Sequence, residues 1–206
     1  TYASNVGIIV ACAPFFVAVI VGIFFKNEKP GVNFFVGFVI AIVGIAMISM
    51  NGAKSLHLNP KGDMLAFTAM ISWGFYSAII KKIGEWDYPT AAVTRRIYFY
   101  GILFLVPVLM WQGVSWDVTV FKKPEIILNF LFLGVGASAL GFFLWNLSTK
   151  WIGAIKTSVY IYVSPVVTVV LSVMILHEKM TFISVAGALL ILLGLIVSQK
   201  KVNQKK

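Results

Sequence analysis

Seven stretches of this chain are each about twenty residues long, almost wholly apolar, and divided by short polar breaks. They run over about 6–25, 32–50, 62–82, 92–111, 125–147, 154–176 and 180–198. A helix needs roughly 20 apolar residues to cross the hydrocarbon core of a bilayer. Amides inside lipid must find their partners within the segment, so each stretch is expected to be a helix. The breaks carry turn and charge signals: KNEKPG at 26–31, NGAKSLHLNPKGD at 51–63, KKIGEWDYPT at 81–90, QGVSWDVTVFKKP at 112–124, STKWIG at 148–153 and HEK at 177–179. The fourth stretch is the least regular, because Arg95 and Arg96 interrupt it near its start. Only 12% of the 206 residues are charged, against roughly a quarter in a soluble domain. That is too few to cover a surface facing water, and the lipid bilayer is the expected surrounding. The fold class expected is all-α integral membrane.

The net charge of +10 is placed in loops and at the C-terminus rather than along one aromatic-studded stripe, which argues against nucleic acid. Alternate loops of a seven-span chain share a side. One side collects Lys26, Lys29, Lys81, Lys82, Arg95, Arg96, Lys150, Lys156 and the four lysines of the tail, twelve in all. The other collects Lys54, Lys61, Lys122, Lys123 and Lys179. Basic loops favour the cytoplasm, so the C-terminus is expected inside and residue 1 outside. The first residues, TYASN, have no basic n-region, so no signal peptide is expected. Cys12 is the one cysteine; it excludes an internal disulfide and reads as a packing residue.

A repeat is written into the two ends of the chain. APFFVAVIVGIFFKNEK (13–29) and SPVVTVVLSVMILHEK (164–179) each open on a proline and close on Glu-Lys. From Glu28 the following helix has glycines at +9 and +16, Gly37 and Gly44; from Glu178 they recur at +9 and +16 as Gly187 and Gly194. Pro14 matches Pro165 at an offset of 151, and the glutamates match at 150. Corresponding helices lie five spans apart, an odd number, so the copies are inverted in the membrane. Inverted repeats are a signature of secondary transporters, with substrate bound at the repeat interface. The second copy reads as five helices and the first shows its last two. Sliding the third helix back by the offset starts the first copy about ninety residues before residue 1. The expectation is therefore a helical bundle of inverted five-helix repeats, with seven helices here of an expected ten. Residues 1–52 hold the last two helices of the first repeat, 53–61 a linker, 62–198 the complete second repeat and 199–206 a basic tail.

These features resemble the EamA family of the drug/metabolite transporter superfamily. The matching stretches are GDMLAFTAMISWGFYSAIIKKIG (62–84), LGVGASALGFFLWNLSTKWIGA (133–154), SPVVTVVLSVMILHEK (164–179) and GALLILLGLIVS (187–198). The resemblance implies a ten-helix inner (plasma) membrane carrier with both termini cytoplasmic. It would move amino acids or other small metabolites, often outward, with no cofactor. A homodimer is compatible with it.

The residues themselves narrow the mechanism. There is no phosphate-cradling G-x-x-x-x-G-K-[ST] loop and no metal-ligand spacing of histidines. All seven acids lie in loops or at helix ends, so a mid-membrane proton relay has no carboxylate candidate in this chain. Facilitated diffusion or exchange is therefore favoured. In the segment 154–176, Tyr160, Ser164, Thr168 and Ser172 stand four apart and share one face, where hydroxyls could bond a polar substrate or simply their own helix carbonyls. Pro165 takes away an N–H and frees the carbonyl of Ile161. Ser72, Trp73 and Tyr76 cluster in the third segment, and Ser138, Trp145 and Asn146 in the fifth. The resemblance implies that these two helices line the cavity with the proline helices. Trp73 and Trp145 read equally as packing, and Asn146 equally as a tie between helices. Arg95 and Arg96 read as membrane anchors or an anion contact. Pro14, Pro165, Glu28, Glu178, Gly37, Gly44, Gly187 and Gly194 read as structural, the glycines as packing seams. Two rivals to a carrier are a membrane scaffold or partner subunit, and a membrane enzyme. The enzyme would need more than His57 and His177, which sit in loops 120 residues apart.

Overall fold

The computed structural model describes residues 3–26, 28–51, 59–113, 123–176 and 181–200. The described residues hold helices and no strands: α1 (Ala3–Ala11), α2 (Ala13–Phe24), α3 (Val32–Asn51), α4 (Pro60–Gly84), α5 (Thr90–Trp111), α6 (Pro124–Leu131), α7 (Gly141–Ile152), α8 (Ala154–Val159), α9 (Val163–Leu176) and α10 (Phe182–Gln199). A π-helix, Phe132–Leu140, joins α6 to α7, and a 3₁₀ turn, Tyr160–Tyr162, joins α8 to α9. Merged this way, and with α1 and α2 taken as one span across Cys12, seven helices among the described residues are long and apolar enough to cross a membrane. The chain is an all-helical, multi-pass membrane protein. Glu178, His177, His57, most of the linker and the end of the tail lie outside the described residues.

The segment borders shift where local chemistry dictates. The fifth segment runs five residues past its expected end, to Ile152, because STKWI still forms helix. Gly153, with φ +88°, then ends it. The last helix starts at Phe182 because Thr181 caps it, its Oγ1 accepting from the Ser184 N–H at 3.1 Å. The first segment is broken at Cys12, an interruption the hydropathy does not reveal. Pro14 has no N–H for the Val10 carbonyl, so the helix stops and restarts with the proline in its first turn. Around the break the bonds tighten to three-residue spacing, Cys12 N–H to Ile9 O and Phe15 N–H to Cys12 O, both 3.0 Å. The second copy answers with its own irregularity, the 3₁₀ turn, just before Pro165.

Two compact units are distinguished, residues 1–79 with 152–206, and residues 80–151. In the first, α3 and α10 pack side by side. Gly37 faces the Gly194 carbonyl and Ser198, while Gly44 faces Gly187 and Ile191. The residue numbers rise on one helix as they fall on the other, so the pair is antiparallel. A Cβ on Gly44 would stand 2.6 Å from the Gly187 carbonyl oxygen, and one on Gly194 would stand 2.6 Å from the Ala41 nitrogen. Near the end of the seam, Asn33 Nδ2 donates to the Lys200 carbonyl at 3.0 Å. In lipid, where apolar surface gains little by leaving its solvent, such close backbone approach is what packing energy is made of. The partnership is reciprocal under the repeat. Gly37 meets the counterpart of Gly44, and Gly44 meets the counterpart of Gly37.

The proline helices complete this unit. α2 packs on α8, with Val17, Val21 and Ala154 buried together. Tyr162, fully buried, joins Ala11, Ala18, Phe34 and Ile191 in the central cluster. The second unit contains α5 and the span from α6 to α7. Its apolar side chains point outward, Phe104, Met110 and Phe132 among them, as lipid-facing residues should.

Candidate substrate-binding residues

The 3₁₀ turn and Pro165 decide which way the α9 residues face. Tyr162 turns into the core with no exposure, and Tyr160, 49% exposed, turns to the open side. Ser164 and Thr168 continue that open face. The Thr168 hydroxyl donates back to the Ser164 carbonyl at 3.0 Å, so its proton is engaged by its own helix. Pro165, by lacking an N–H, removes the regular partner of the Ile161 carbonyl one turn earlier. The combination is a short polar strip on a locally irregular helix.

In α4, Ser72 is exposed and donates to the Thr68 carbonyl at 2.9 Å. Trp73 and Tyr76, both half-buried, are brought together with ring centres 5.2 Å apart and planes inclined by 32°. Gly74, one residue on, lets the main chain of Phe16 in α2 approach: a Cβ there would lie 3.1 Å from the Phe16 carbonyl oxygen. The aromatic pair therefore sits on a helix that packs at Gly74 against the first proline helix.

Ser138, Trp145 and Asn146 belong to the second unit. Ser138 lies in the π-helix, whose closing bond runs from the Gly141 N–H to the Gly136 carbonyl, five residues back. Such wide turns occur often at functional sites, and hydropathy carries no sign of them. Asn146 is 3% exposed, and its Nδ2 donates to Thr94 Oγ1 at 3.0 Å. Thr94 in turn donates to the Thr90 carbonyl at 2.9 Å. Thr94 is the partner that sequence reasoning missed. It stands beside Arg95 and Arg96, whose charges drew attention, and nothing local marks it. The two arginines are exposed.

Close to this pair, Lys150 Nζ bonds Asp87 Oδ1 at 2.7 Å and the Tyr88 carbonyl at 3.5 Å. The hydrogen bond from Lys150, and then its positive charge, hold the Asp87 carboxyl below its ordinary pKa. Asp87 itself sits at φ 54°, a left-handed position that aspartate tolerates better than most residues. Tyr88, Thr90, Asn146 and Lys150 help line a cleft of about 10 Å³, room for about one water and not for a metabolite. Among the described residues no three of His, Cys, Asp and Glu gather as a metal site.

Comparison with known proteins gives these features a setting. The model of the EamA-like transporter family matches residues 60–199. The uncharacterized transporter YetK of Bacillus subtilis (strain 168) is 24% identical over 99% of this chain and 62% of its own length. The uncharacterized transporter YcxC of the same organism is 27% identical, over 98% and 66%. A Salmonella typhimurium protein named "Probable amino-acid metabolite efflux pump" is 25% identical, over 89% and 63%. The chain thus spans somewhat less than two thirds of the length of these curated relatives. A solved crystal structure superposes with a TM-score of 0.76 over 97% of this chain and 68% of its own, at 16% identity. That likeness speaks for the fold.

Proposed function

We propose, on the premise that this chain belongs to the EamA-like transporter family, that it is a secondary carrier of small metabolites such as amino acids, working by alternating access. The observation that carries the reading is the reciprocal, antiparallel glycine seam between α3 and α10. Carriers built from inverted repeats rock one repeat against the other around a fixed site, and this seam is where the two repeats meet through equivalent residues. The name borne by the Salmonella relative supports the amino-acid class and an outward direction. The excess of lysine and arginine in alternate loops supports the plasma membrane orientation with the C-terminus in the cytoplasm. We assign no catalytic step.

The substrate-contact candidates of this reading are Tyr160, Ser164 and Thr168 on the open face of α9 and Ser72, Trp73 and Tyr76 on α4 in the first unit, and Ser138, Trp145 and Asn146 in the second. Hydroxyls and the carboxamide would supply donors and acceptors, and the rings would supply an enclosing apolar wall. Residues 1–52 act as the closing helices of one repeat and 62–198 as the other, and a homodimer is compatible with both. The test is uptake and counterflow of radiolabelled amino acids in proteoliposomes, with Tyr160→Ala and Asn146→Ala beside the parent. Transport should fall at least about tenfold in each, which is the loss of roughly 1.4 kcal/mol of binding or transition-state free energy. Unchanged transport in both would remove the site assignment. No flux of any small metabolite by the parent would remove the carrier reading itself.

A further inference from the structure

Gly153 opens the helix that runs from α8 through the 3₁₀ turn into α9, and two observations show that it has no room for a side chain. Its φ of +88° lies in the left-handed region. A Cβ there would also run into the carboxylate of Glu28, with the carboxyl carbon 3.1 Å and Oε2 3.3 Å away. Glu28 comes from the other repeat, four residues beyond the end of α2 at Phe24. Its Oε2 is closed off from solvent, while the side chains of its neighbours Lys26 and Lys29 are exposed. The head of a helix has amides without intrahelical carbonyls and a partial positive charge. Gly153 supplies no side-chain cap of its own. A carboxylate gains nothing at the C-terminal end of its own helix, whereas the head of another helix, here 125 residues away in sequence, has the sign that favours it.

We propose that Glu28 is a positioning residue that latches the two proline helices together at this end of the bundle. α2 packs on α8, where Val17, Val21 and Ala154 are buried together and Ser158, about one turn beyond Ala154, is buried too. On this proposal water reaches these residues from the Glu28 side only when α2 and α8 part, and the carboxylate seated on Gly153 opposes their parting. The latch thus holds one face of the carrier closed. Its place in a transport cycle rests on the carrier reading above, whereas the latch itself can be observed without any substrate.

The experiment uses the protein in membranes with Cys12 replaced by alanine and a reporter cysteine at Ser158, which is fully buried. Labelling by a membrane-impermeant maleimide is timed from the side of the 25–31 loop. Glu28→Ala should speed labelling about tenfold, and Gly153→Ala, which pushes the carboxylate off, should do the same. The double variant should label no faster than either single one, because both break one contact. A second reporter at Ile191, buried in the glycine seam, should stay protected throughout. If Ile191→Cys also opens in Glu28→Ala, the shape-conserving Glu28→Gln decides. Faster labelling at position 158 with position 191 still closed supports the latch, and any other result overturns it. Equal labelling rates in parent and variants overturn it as well. Failure of transport by the parent would count against the carrier reading and leave the labelling result standing.

Discussion

Two glycine-rich stretches of this chain have opposite surroundings. Along α3 and α10, Gly37, Gly44, Gly187 and Gly194 each meet the main chain of the facing helix so closely that a methyl group would collide with it. In the π-helix of the second unit, a Cβ on Gly134 would meet nothing within 4 Å, and one on Gly136 would touch only Phe132 of its own helix. Gly101 in α5 is equally open. The same residue type, in equally apolar helices, is a locked contact in one place and vacant surface in the other. Glycine in a membrane helix grants the possibility of close approach. The contact itself comes from what the fold puts opposite.

The sharpest way to break this contrast is to enlarge both sides. Gly44→Leu should lower the melting temperature in detergent on the order of 10 °C, since overpacking costs about 1–3 kcal/mol even when side chains alone must yield, at about 2–4 °C each for a chain of this size. Gly134→Leu should change it by no more than about 2 °C. Equal losses would mean that the two regions do not differ. Next in size is the tie in the second unit. Asn146→Leu and Thr94→Val should each cost about 1–3 kcal/mol through a stranded polar partner, and the double variant less than their sum, read from thermal unfolding as a double-mutant cycle. Smaller and of opposite sign, Gly101→Ala should raise stability by up to about 1 kcal/mol, because alanine favours the helix and nothing opposes its methyl group. A measurable loss there would reveal a neighbour that α5 does not have in this structure.

The smallest effect concerns the exposed Lys150–Asp87 pair. Its carboxyl is shifted downward by Lys150, so its contribution is fully present above the ordinary aspartate range, near pH 4. That contribution is lost as pH falls through the lower value of the folded protein. Asp87→Asn should therefore flatten the acid arm of a stability-against-pH curve and leave the alkaline arm unchanged. An unchanged acid arm would show that solvent screens the pair completely.

The seven spans were legible because lipid imposes one demand, a long apolar helix, on every segment. Period and length suffice for that, down to the end of the second span at residue 50 or 51. The four seam glycines could be picked out because the repeat places them in register, but register alone does not say which helix faces which. What escaped were features set by the backbone or by distant partners. The break at Cys12 and the 3₁₀ turn follow from prolines the sequence displays, yet their form depends on which carbonyl is left over. The π-helix at Phe132–Leu140 has no hydropathic mark at all. Thr94 pairs with Asn146 across 52 positions, and Glu28 reaches Gly153 across 125. In both, the local sequence explains one partner and tertiary packing supplies the other.

The glycine seam has a mechanical consequence. A contact made largely between two main chains leaves few rotamers to reset when the helices shift slightly, chiefly those of Ile48, Ile191 and Ser198 beside the glycines. Because Gly37 with Gly194 and Gly44 with Gly187 are images of each other under the repeat, the seam has a pivot midway between them. A tilt about that pivot would loosen one pair as it presses on its image. In a carrier whose repeats rock, α3 and α10 would serve as the bearing between them.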